Sequence, residues 1–273
     1  MAEARWIYDL TIFLYAASVL FYFNDFLLSN RKANRIAFGL LAVVWALQTV
    51  FFVSQMAAKP YFPVLTLFET LFFYSWILVT VSLAINYFFR VDLLIFFLNV
   101  IGFVVLTASM FFPETSSAAH SKVISELLFI HVTLAMFSYA AFALSMILSV
   151  LYLLQNKLLK QKRWTPLLRR LPSLDKLELF SYFTNMVGVP LLLLALLLGA
   201  IWAQLVETGG FWTDAKVWMS LLVLLAYSVL LYRRFTEDWL GRKLAWGNLV
   251  AFVILLLNFV FTDVFSNFHR WMY

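Results

Sequence analysis

Eight stretches of the chain are apolar over about the 20 residues that a helix needs to cross about 30 Å of hydrocarbon. They run Ile7–Leu28, Ile36–Met56, Thr66–Phe89, Leu93–Phe112, Leu127–Leu154, Phe180–Leu205, Val217–Tyr232 and Trp246–Phe265. The connections between them are short, 29–35, 57–65, 90–92, 113–126, 155–179, 206–216 and 233–245, and leave no room for a separate soluble domain. Composition agrees. Apolar residues make up 64% of the 273 and charged residues 12%, against about 45–50% and about 25% in soluble domains. The pattern predicts an all-α, polytopic integral membrane protein with eight transmembrane helices in one membrane domain, 1–273. Only Arg5 precedes the first run as a cation, and no small-residue cleavage site follows it. It therefore reads as a retained span and not a signal peptide.

Lys and Arg concentrate in alternate loops. The connections after spans 1, 3, 5 and 7 hold 15 of the 20, and the opposite side holds Arg5, Lys59, Lys122, Lys216 and Arg270. Cytoplasmic loops carry such an excess, so both termini are expected outside. The net charge of +6 is then a topology signal and gives no support to nucleic-acid binding. The absence of cysteine excludes disulfides, a thiol nucleophile, Fe–S ligation and covalent haem attachment. No G-x-G-x-x-G, P-loop, H-E-x-x-H or G-x-S-x-G motif is present, so nucleotide binding, zinc proteolysis and serine hydrolysis lack their minimal residues. The chain reads as a non-enzyme.

On this topology the three histidines all fall on the outer side. His120 follows span 4, His131 lies about one turn into span 5 from its outer end, and His269 lies just past span 8. The outer connection 206–216 carries Trp212, Asp214 and Lys216, flanked by Trp202 and Trp218. Imidazoles, flat aromatic rings and a few cations fit haem: His131 and His269 as axial ligands, indoles over the macrocycle, and lysines on the propionates. Two other readings stay open on spacing alone. Such residues anchor any spanning helix at the interface, and His120, His131 and His269 with Asp214 or Glu126 supply zinc-type ligands.

The stretch from His131, HVTLAMFSYAAFALS, resembles the helix that opens the haem-handling core of the CcsA-type cytochrome c assembly proteins. Span 6 ends in G-A-I-W-A (Gly199 to Ala203), and Trp212, Asp214, Lys216 and Trp218 follow like a degenerate form of the family's tryptophan-rich haem loop. Glu69, in L-F-E-T-L, is similar to a family glutamate near the top of an earlier span, and His269 takes the place of the second outer histidine. The likeness covers 66–273. Thr213 stands where the loop pattern has a tryptophan, and Tyr232 where the family has a histidine near the cytoplasmic end.

A short, cysteine-free, eight-span chain with both outer histidines is most similar to the branch of this family linked to haem biosynthesis in Gram-positive bacteria. The resemblance implies a multi-pass protein of the bacterial cell membrane that binds haem b through His131, His269, Trp202, Trp212, Asp214, Lys216 and Trp218. It also implies that the protein lowers the level of glutamyl-tRNA reductase and catalyses nothing itself. Haem handling in cytochrome c assembly is the alternative. A small-solute permease is the second, and charged midplane residues that would favour it are missing.

The basic connection 155–179 interleaves Lys160, Lys162, Arg163, Arg169 and Arg170 with Trp164, Leu167, Leu168 and Leu171. That composition suits a helix lying on an anionic leaflet with its leucines in lipid. It also suits a platform for a soluble partner such as the reductase. Asn185, Gly188 and Pro190 predict a kink in span 6, and Gln48, Asn99 and Asn258 predict interhelical hydrogen bonds.

Overall fold

The computed structural model describes residues 2–59, 61–88, 91–112, 122–162, 168, 170–205, 211–236 and 239–265. They form α1 (Ala2–Leu28), α2 (Arg31–Ala58), α3 (Leu67–Phe88), α4 (Asp92–Ser109), α5 (Lys122–Lys160), α6 (Leu174–Leu205), a 3-10 turn (Phe211–Thr213), α7 (Ala215–Thr236) and α8 (Arg242–Phe265). All eight α-helices are long and apolar enough to cross a membrane, and no strand occurs among the described residues. Lipid offers the backbone no hydrogen bonds, so each span closes its own as a helix.

Six helices overrun their apolar stretches, and α3 and α4 do not, because caps and side-chain bonds end a helix, while hydropathy only locates the hydrocarbon. Helix α2 starts at Arg31 because the Asn30 side chain accepts from the N–H groups of Lys32 (3.0 Å) and Ala33 (3.4 Å), an N-cap of ordinary form. Helices α5 and α6 likewise absorb much of the basic connection, leaving 161–173 between them. Leu168 and Leu171 are buried in protein, so these two do not dip into a leaflet as the amphipathic pattern predicts. Trp164, Leu167, Arg163 and Arg169 lie outside the described residues.

The chain divides into two compact units, 1–122 with 272–273, and 123–271. In the first, α1 buries Tyr8, Tyr15 and Tyr22, spaced seven apart, against α2, α3 and α4. The phenol of Tyr15 donates to Asn99 Oδ1 (3.2 Å), Asn99 Nδ2 donates to Ser82 Oγ (2.6 Å), and Gln48 Nε2 donates to Ser75 Oγ (3.2 Å). Gln48 and Asn99 therefore join helices, as their midspan positions predict. Glu69 opens α3 with a capping box. Its Oε2 accepts from the N–H groups of Leu65 (2.8 Å) and Thr66 (3.0 Å), the Thr66 hydroxyl accepts from the Glu69 N–H (3.2 Å), and Oε1 takes the Lys59 ammonium. Reciprocal bonds of this kind satisfy the N–H groups that a helix start leaves over.

In the second unit, Phe142 of α5 stacks on Tyr227 of α7 with centroids 3.6 Å apart. Leu192, Val223, Ala251 and Leu255 complete this apolar layer. Gly188 of α6 lets it close, since a Cβ there would lie 2.6 Å from the Phe142 ring. Towards the end where α5 finishes, Asn248 Nδ2 donates to Ser149 (3.0 Å) and Ser181 (2.8 Å), and Asn185 Nδ2 donates to Asn248 Oδ1 (2.6 Å). Helix α6 is continuous through Pro190 from Leu174 to Leu205. At the same end the Glu178 carboxylate accepts the Gly241 N–H (2.7 Å) and pairs with Arg234 (3.2 Å). Gly241 has φ +62°, a left-handed conformation that glycine tolerates best. Tyr232, in the place of the family's inner histidine, is exposed.

Candidate functional site

Where α5 begins and α6 ends, the second unit holds a cavity of about 230 Å³. Three of the predicted site residues, His131, Trp212 and Lys216, line it. The rest of the wall is mostly apolar, with Met136 from α5, Leu192 and Leu196 from α6, Leu224 from α7 and Phe259 from α8.

His131 is held on two sides. Its Nδ1 lies 2.6 Å from the Ala195 carbonyl oxygen. A carbonyl only accepts, so Nδ1 carries the proton and Nε2 keeps its lone pair. Nε2 has no hydrogen-bond partner among the described residues. The imidazole lies against bare backbone at Gly199, where a Cβ would come within 2.7 Å of the ring's Cε1 and 2.8 Å of Nδ1. Gly199 lies six residues before the end of α6, about 9 Å at the helical rise. A histidine whose other nitrogen is tied to a carbonyl is oriented as metal-ligating histidines are.

The loop residues divide by role. Asp214 is buried and its Oδ1 accepts the Lys216 N–H (2.9 Å), the cap expected of an aspartate directly before α7. Lys216, on the first turn of α7, brings the cation of the cavity. Trp218 donates its indole N–H to the Trp212 carbonyl (2.8 Å) and is itself exposed. It braces the turn that presents Trp212. Trp202, partly buried on α6, is not among the described residues lining the cavity.

Two features of the wall escaped the sequence reading. Ala195 and Gly199 hold the histidine. Gly199 stands inside the quoted G-A-I-W-A segment, but nothing in one chain says which side chain a glycine receives. Tyr139, Ser220 and Asn258 form a polar floor, with Asn258 Nδ2 at 3.4 Å from the Tyr139 hydroxyl and 3.3 Å from Ser220 Oγ. Asn258 does bond between helices as predicted, and it also faces the cavity.

His120 and His269 lie outside the described residues, and with them the pairing of His131 with His269. Among the described residues no three His, Cys, Asp or Glu side chains gather as the zinc reading requires. Of the basic set, Lys160 ends α5, Lys162 is exposed with φ +54°, and Arg170 is partly buried.

The relatives fall into two groups. Protein HemX of Brevibacillus brevis is 64% identical over 273 residues, covering 99% of this chain and 100% of its own. Protein HemX of Bacillus subtilis (strain 168) is 48% identical over 261 residues, 95% of each chain. The cytochrome c biogenesis protein CcsA of Guillardia theta is 26% identical over 232 residues, 78% of this chain and 77% of its own. Residues 64–269, which include every wall of the cavity, match the family described as cytochrome C assembly protein. With eight membrane-crossing helices and that match, the chain belongs to the cytochrome c assembly protein family as a multi-pass membrane member.

Proposed function

We propose that this protein is a non-catalytic membrane protein of haem metabolism that holds haem b in the His131 cavity and lowers the level of glutamyl-tRNA reductase. One observation carries the binding reading: Nδ1 of His131 is fixed on the Ala195 carbonyl while Nε2 keeps its lone pair at an apolar cavity. Bound there, haem supplies an iron for that nitrogen. Trp212 provides a flat face for the macrocycle and Lys216 a cation for a propionate. His269 would be a second histidine on that iron, and the charge count supports an outer location for the site. Names and lengths of the HemX relatives support a role in haem metabolism. The basic connection around Lys160, Lys162, Arg163, Arg169 and Arg170 is the proposed surface towards the reductase.

The test is an absorption spectrum of the purified protein after haem b is added. A Soret band that shifts or vanishes in His131→Ala and His269→Ala is expected. A wild type with no such band, or variants that keep it unchanged, would overturn the binding reading. The CcsA relatives favour a second reading, haem handling in cytochrome c assembly. It moves ahead if the variants lose haem while the reductase level in cells stays constant.

A further inference from the structure

The cavity's polar groups and its rim face different surroundings. Leu193 and Leu197 of α6 and Leu221 of α7 line it and are also exposed, by 45%, 53% and 38%. They lie within apolar spans, so the medium they meet is lipid. Leucine rests in hydrocarbon without penalty, whereas an aqueous mouth would leave three leucines in water. His131, Ser220 and Asn258 line the same cavity as this rim, and the floor residues bond to one another. Acyl chains can therefore lie against the rim, and a ligand that reaches past them gives His131 Nε2 the partner it lacks among the described residues.

Size points the same way. About 230 Å³ is below the roughly 300–1,000 Å³ of sites that swallow most of a ligand. A flat molecule as large as a porphyrin enters edge first and leaves its remainder at the open side.

We infer that the cleft between α6 and α7 is a lateral portal, through which the His131 site takes a planar amphiphile already dissolved in the membrane leaflet at that end of the bundle. This rests on the haem reading for the ligand's identity, and not for the route. In the wider sequence of events, the reaction that supplies the ligand then releases it into the bilayer.

The test uses the full chain in lipid nanodiscs. Haem b is offered from donor vesicles, and release is followed into a soluble apo-globin. Leu197→Trp with Leu221→Trp narrows the rim with apolar bulk. Loading and release are expected to slow together, by tenfold or more. Unchanged rates, or faster release, would overturn the portal. A second readout needs no haem. The chain has no cysteine, so Met136→Cys, labelled with bimane, reports the cavity alone. Lipids brominated in the upper acyl chain are expected to quench it, and less so with the narrowed rim. Quenching by aqueous iodide but not by bromolipid would sink the lateral route even where haem loads normally. A chain that binds no haem yet shows bromolipid quenching keeps the portal and loses the haem reading.

Discussion

The placement of His131 depends on a residue with no side chain. A methyl at position 199 would sit within 2.8 Å of the imidazole Nδ1, so Gly199→Ala must push the ring off the Ala195 carbonyl. Overpacking of this kind costs about 1–3 kcal/mol, and the expected result is a lower unfolding midpoint in detergent. In the double variant with His131→Ala the added penalty should vanish, because the clash needs both partners. An additive pair would show that the glycine acts elsewhere. The chemistry of His131 was legible from its type and its place near a span end. Its hydrogen-bond acceptor was not, because residue 195 offers only a backbone carbonyl, which every residue has.

At the level of single helices, hydropathy located all eight spans and the ends of α1, α6 and α8, and it missed most of the starts by a few residues. The starts are set by side chains such as Asn30, Glu69 and Asp214, whose capping role looks the same in sequence as a ligand role. Asp214 shows the ambiguity: the family loop suggests a haem contact, and the structure gives it the N-terminus of α7. Asp214→Ala should cost about 1 kcal/mol and Asp214→Asn much less, since asparagine caps nearly as well. Thermal unfolding of the two variants decides this. Glu69 holds the start of α3 more firmly, because it is buried and carries an ion pair as well as two backbone bonds. Glu69→Ala leaves Lys59 without its carboxylate and should cost about 3 kcal/mol, again read as a loss of unfolding midpoint. A loss below about 1 kcal/mol would mean that water replaces the carboxylate.

Across the whole chain, the charge count makes two predictions. Tags on either terminus should be reached in intact cells from outside, and a tag reached only after permeabilisation would reverse the topology. Reversing charge at Lys160, Lys162, Arg163, Arg169 and Arg170 should raise the cellular amount of glutamyl-tRNA reductase and leave any haem spectrum intact. An unchanged reductase level would remove the basic connection from the regulatory reading. Within the second unit, the stacked Phe142 and Tyr227 rings and their aliphatic neighbours separate the Asn248 cluster from the Tyr139, Ser220 and Asn258 floor. That layer is packed ring on ring and against bare backbone at Gly188. Interiors packed this closely transmit strain, so a shift of α5 at one end passes to α7 through the two rings instead of being absorbed.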